Sequence, residues 1–76
     1  MTDTESLKML IKNQGVSITH VAKALNISRE GLYKKLNGET EFKASEIGVI
    51  RKLLRMTPKE FDSIFFANNG ELNSAK

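Results

Sequence analysis

The chain has no cysteine, one proline and one histidine. Without thiols, neither disulfides nor a thiolate metal site can hold a small fold together, so helix packing must do it, aided or not by a second copy. One histidine without cysteine makes no zinc ligand set, and His20 reads as a surface residue. No apolar run approaches the roughly 20 residues of a membrane-spanning helix or the h-region of a signal peptide, so the expectation is a soluble, cytoplasmic protein. Catalysis lacks its parts too. There is no glycine-rich phosphate loop, and the acids Asp3, Glu5, Glu30, Glu39, Glu41, Glu46, Glu60, Asp62 and Glu71 are scattered, several near helix starts where they suit the helix dipole. The reading is a binding protein and not an enzyme, with no metal, cofactor or small-molecule ligand.

The 76 residues, 39% hydrophobic and 28% charged, suit one globular domain with a modest core, expected over residues 1–70 with a frayed tail at 71–76. Net charge is only +3, but it is unevenly placed. Between residues 8 and 35, Lys8, Lys12, Lys23, Arg29, Lys34 and Lys35 face Glu30 alone, whereas residues 36–76 are balanced. A basic half of this kind is an electrostatic footprint for phosphates.

Periodicity and caps predict five helices and no strand. Leu7, Leu10 and Ile11 mark a first helix from Thr4 to Asn13, capped by Thr2 or Asp3 and ended at Gly15. Ser17 caps a second, Ile18 to Leu25, which buries Val21, Ala22 and Leu25 and stops at Asn26. Ile27 plugs the corner, and Ser28 caps a third helix, Arg29 to Leu36, with Leu32 and Leu36 inward and Asn37-Gly38 behind it. Phe42 pins the following loop to the core. A fourth helix covers residues 44–55, with Ile47, Ile50 and Leu54 on its stripe. Thr57-Pro58-Lys59-Glu60 supplies an N-cap, a proline at N1 and a capping-box glutamate for a fifth, with Met56 and Phe61 placed as a hydrophobic staple and an end near Asn68-Asn69-Gly70. Asn37-Gly38 is also a hairpin signal, but no alternating pattern flanks it.

Residues 17–38 are thus two short helices joined by a tight turn, with the second helix basic. Ala22 is small where the helices cross, and Asn26 follows four residues later at the turn. Leu25 and Ile27 complete the plug, and Leu32 sits ten residues after Ala22 beneath the second helix. These offsets, with Asn37-Gly38 after the third helix, resemble the helix-turn-helix of the lambda-repressor/Cro-like family, also called the XRE family. The resemblance covers roughly Leu7 to Leu54. Asn26 stands where that family usually has glycine, a mild departure because asparagine tolerates the same backbone geometry. The stretch Lys34-Lys35-Leu36-Asn37-Gly38-Glu39-Thr40-Glu41-Phe42, continued through Ile64-Phe65-Phe66-Ala67, is similar to small regulators of temperate phages and prophages of Firmicutes.

The resemblance implies a compact, all-α, lambda-repressor-like fold. It also implies a sequence-specific regulator of transcription, repressor-like, whose third helix enters the major groove of double-stranded DNA, with a homodimer on a two-fold symmetric operator. By position, Ser28, Arg29, Glu30 and Lys34 then face the base edges, with Tyr33 at the margin. Arg29 suits guanine O6 and N7, and Glu30 suits the cytosine amine. Phosphate contacts fall to Ser17 and the free N–H groups near Thr19 and His20, and to Lys35, Asn37 and Lys43. Ile18 departs from the glutamine that many such repressors carry there, so Thr19 or Lys23 is expected to substitute. Glu39 and Glu41 are acidic where relatives often have lysine, which weakens a monomer's grip. Val49, Leu53 and Phe66 lie off the buried stripes, either as a dimer patch or, for Phe66, partly covered by the tail. A second reading keeps the fold but makes it a protein-binding module, of antirepressor or antitoxin-like type.

Overall fold

A computed structural model of the chain describes residues 2–66, which form five helices and no strand. The helices are α1 (Thr4–Asn13), α2 (Ile18–Leu25), α3 (Arg29–Leu36), α4 (Ala44–Leu53) and α5 (Pro58–Phe65). The expected stop at Asn68-Asn69-Gly70 and the tail at 71–76 lie outside the described residues. Helix α2 packs against α3 and α4, while α1 packs against α3 and α5. Their shared core is Leu7, Ile11, Val21, Ala22, Leu25, Leu32, Leu36, Phe42, Ile50, Leu54, Met56, Ile64 and Phe65. With the partly buried Ile47, Leu53 and Phe61 packed against that core, each helix presents apolar residues about one turn apart, as an amphipathic helix must to reach a common centre.

Side chains start four of the helices. The hydroxyls of Ser17, Ser28 and Thr57 accept from the N–H groups of His20, Gly31 and Glu60 at 3.0, 2.9 and 3.1 Å. Glu60 returns the bond to the Thr57 N–H at 2.9 Å, completing the capping box read from the sequence. Asp3 rather than Thr2 caps α1, accepting from the Ser6 N–H at 3.1 Å and the Ser6 hydroxyl at 2.8 Å. Its own N–H donates to the Ile64 carbonyl, tying the start of α1 to α5.

The Ser6 side chain first, and then the Ser6 backbone N–H, hold the Asp3 carboxyl below the usual aspartate range. A depressed folded-state value contributes stability above the unfolded value, and that contribution is lost as pH falls through the folded value. Asp3→Ala is therefore expected to lower stability by about 1 kcal/mol at pH 7. The gap to the unaltered protein should narrow below about pH 4, which urea titrations at the two pH values would measure.

The first four helices end alike. The N–H groups of Val16, Ile27, Glu39 and Met56 each reach back five residues, to the carbonyls of Ile11, Ala22, Lys34 and Arg51. Those of Gly15, Asn26, Gly38 and Arg55 reach back three residues, to Lys12, Lys23, Lys35 and Lys52. This paired pattern is the Schellman motif, and it needs a left-handed residue at its hinge. Gly15, Asn26 and Gly38 supply one, as the sequence indicates. Arg55 does so at φ 51°, an expensive choice for a residue with a β-carbon.

Helix α4 therefore stops at Leu53, not at residue 55. The chain downstream is consistent with that stop: Thr57, the N-cap of α5 and the residue before Pro58, is extended at ψ 158°, and Met56 is buried. Glycine would relieve the strain at 55 while adding freedom to the unfolded chain. Arg55→Gly is expected to raise stability by roughly 0.5–1 kcal/mol, seen as a higher urea midpoint at unchanged slope.

Candidate nucleic-acid interface

Asn26, at φ 59° and ψ 42°, turns the backbone sharply enough for α3 to leave α2 at a fixed angle. Ile27 packs partly buried in the corner. Small Ala22, buried on α2, lets α3 lie close. Only Leu32 and Leu36 of α3 are buried, which anchors one stripe of the helix and turns the rest outward. Ser28, Arg29, Glu30, Tyr33 and Lys34, the five residues expected at base edges, are all exposed. Tyr33 keeps 44% of its surface. Among the described residues, none of Arg29, Glu30 and Lys34 sits in an ion pair, so their charged ends are available to a ligand.

Gly31 lies one residue behind this face. A β-carbon there would come within 3.2 Å of the Ser28 hydroxyl that caps its own N–H. The cap itself does not demand glycine, since His20 and Glu60 carry β-carbons at the same place behind Ser17 and Thr57.

The expected phosphate contacts divide. Ser17, Thr19, Lys23, Asn37 and Lys43 are exposed, as is His20. Ser17 accepts from the His20 N–H, and a hydroxyl that accepts one bond still has its own O–H to donate to a phosphate oxygen. Ile18 is half-buried against the core, so the residue in the usual glutamine position faces inward.

Lys35 corrects the expectation. Its ammonium lies 3.2 Å from Glu46 Oε1, donates to the Glu41 carbonyl at 3.0 Å and sits 5.9 Å from the centre of the Phe42 ring. Its side chain keeps 12% of its exposure, and that of Glu46 keeps 8%. A lysine tied to a buried carboxylate and a carbonyl is not a free phosphate ligand. Its position explains why: Lys35 is adjacent to buried Leu36 and three residues from buried Leu32, so its stem flanks the inward stripe and can reach α4.

In the sequence Glu46 is one scattered acid among many. Structurally it is the third residue of α4, and it accepts from the Lys43 N–H at 2.8 Å. That spacing, a glutamate at N3, was the available signal. Gln14 carries no such signal; its side-chain amide donates to the Leu54 carbonyl, joining the ends of α1 and α4.

Of the apolar patch, Val49 and Phe66 are exposed, whereas Leu53 packs partly buried against the core. Phe66 leans edge-on against Phe61, with ring centres 5.5 Å apart. Met9, at 62%, is the most exposed large apolar residue described. Among the described residues no three acids, histidines or cysteines gather as a metal site, and no helix is long and apolar enough to cross a membrane.

Comparison with known families agrees with this geometry. Residues 3–39 match the family model of the helix-turn-helix domain of resolvase. The span takes in α1, α2, α3 and the turn at Gly38, and it indicates a helix-turn-helix DNA-binding domain. Neither curated proteins nor solved structures give a match.

Proposed function

We propose that this chain is a sequence-specific regulator of transcription that binds double-stranded DNA, with α3 in the major groove. The observation that carries the reading is the outward face of α3. Arg29, Glu30 and Lys34 stand exposed and unpaired among the described residues, on a helix braced by Leu32 and Leu36. Arg29 is placed for a guanine, Glu30 for a cytosine amine and Lys34 for a guanine or a phosphate, with Ser28 and Tyr33 beside them. Ser17, Thr19, Lys23, Asn37 and Lys43 hold the backbone on either side and fix the register of the helix.

The protein acts as a repressor-like homodimer in the cytoplasm, on an operator whose two halves lie about 10–10.5 bp apart. It is a DNA-binding protein of XRE type, of the kind phages and prophages carry, with no catalytic step and no cofactor. Exposed Val49 and Phe66 favour them as part of the dimer contact, with Leu53 behind them.

The same exposed pair supports a second reading, a protein-binding module in which Glu39 and Glu41 keep DNA away. Selection from a random pool of duplexes separates the two. Enrichment of a symmetric site with that spacing supports the regulator. A protein that retains no duplex at low salt, yet elutes as a tight complex with another protein, supports the module.

A further inference from the structure

The Lys35–Glu46 pair is unusual for its place. Helix α3 meets the core through two leucines one turn apart on a single stripe. Such a stripe resists lifting of the helix but does little to stop it rolling about its axis or sliding along it. A directional contact set off that stripe does both, and Lys35 is the residue of α3 that makes one. Its ammonium is gripped at two points, Glu46 Oε1 on α4 and the Glu41 carbonyl in the loop. Glu46 Oε1 also accepts the Lys43 N–H that begins α4. One carboxylate oxygen therefore joins the last turn of α3 to the first turn of α4. Phe42, beneath the ammonium, meets Phe65 edge-on at 6.1 Å and extends the tie to α5. A largely buried ion pair adds little net stability over an apolar pair of the same volume. What it supplies is direction.

We infer that Lys35 and Glu46 form a positioning clamp that fixes the roll and register of α3 against the loop behind it. It thereby sets the distance between the base-reading residues Arg29, Glu30 and Lys34 and the backbone-facing residues Asn37 and Lys43. The inference rests on the proposed DNA-reading function. On it, Lys35 and Glu46 govern selectivity without touching DNA, and Lys35 adds nothing to the count of phosphate contacts.

The test uses Lys35→Met, which keeps the stem, and Glu46→Gln, which keeps the acceptor for Lys43, singly and together. Each is titrated with the duplex that the unaltered protein enriches from a random pool and with an unrelated duplex of equal length. Binding is read by fluorescence anisotropy between 50 and 200 mM salt, at a temperature where circular dichroism shows full helicity. Each single variant is expected to bind the enriched duplex about tenfold more weakly, and the double variant no more weakly than either, as coupled partners do. The unrelated duplex should change by less than about twofold, and the salt slope should stay where it was.

A Lys35→Met slope shallower by about 0.9, with both duplexes weakened alike, would overturn the clamp in favour of a direct phosphate contact. Unchanged discrimination in both single variants would overturn it as well. If a single variant does not fold, the Lys35→Met/Glu46→Met pair replaces the ions with apolar bulk, and it too must lose discrimination. Failure of the unaltered protein to enrich any duplex would bring down the DNA-reading function itself, and the clamp with it. That failure is distinct because it precedes any substitution.

Discussion

Replacing Leu32 by alanine is expected to cost about 3–4 kcal/mol of folding stability. Leu32 is fully buried in the shared core on the inner side of α3, so truncation loses both its transfer from water and its packing there. A chain of this size has roughly 4–11 kcal/mol in total, so the loss is a large share of it. The thermal midpoint should drop far enough that much of the variant is unfolded at body temperature. The loss reaches function through the same contact, because α3 keeps its angle to α2 only while the stripe beneath it is filled. Excess duplex should partly restore the folded state, since a ligand that binds only the native form stabilises it by mass action. Met9→Ala, at the exposed extreme of the same chain, should change stability by no more than about 0.5 kcal/mol. Urea denaturation of the two variants side by side measures the contrast. Equal effects would mean that α3 is not seated as described.

Replacing Arg29 by alanine is expected to do the opposite, leaving folding alone and damaging recognition. The side chain is exposed and makes no ion pair with another described residue, so stability should move by no more than about 0.5 kcal/mol. Affinity for the selected duplex should fall by about 1–3 kcal/mol, or roughly five- to 150-fold, with tolerance relaxed at one base position. A bidentate contact to guanine has that signature because a wrong base leaves a desolvated guanidinium without its acceptors. Binding to unrelated DNA should weaken far less. Selection repeated with the variant shows whether one position of the site, and only one, has lost its preference. If affinity and selectivity both survive, Arg29 is not a base reader.

The features that local chemistry fixes could be read from the residues. Ser17, Ser28 and Thr57 announce helix starts because a short hydroxyl side chain satisfies N–H groups that nothing else reaches. Gly15, Asn26 and Gly38 announce stops because they tolerate the left-handed backbone that closes a helix. With apolar residues at three- and four-residue spacing, these fix α1, α2 and α3 to their ends. They also explain why the α3 residues expected to face outward do so.

What could not be read depends on contacts made through space. Arg55 carries no compositional mark of a helix end, yet it takes the left-handed turn at φ 51° that closes α4. Lys35 looks like its neighbour Lys34 in the sequence, yet one faces solvent and the other a buried glutamate eleven residues on. One residue along a helix is a rotation of about 100°, enough to separate the two roles. Gln14 reaches Leu54 across forty residues, a pairing with no local signal.

Mapping of backbone amide shifts on isotope-labelled protein, titrated with the selected duplex in dilute salt, asks most directly whether the outer side of α3 is the surface that meets DNA. The largest changes should fall on Ser28, Arg29, Glu30, Tyr33 and Lys34, with a second group from Ser17 to His20, while α5 stays still. Changes centred instead on Val49 and Phe66, with Arg29 and Lys34 unmoved, would contradict it.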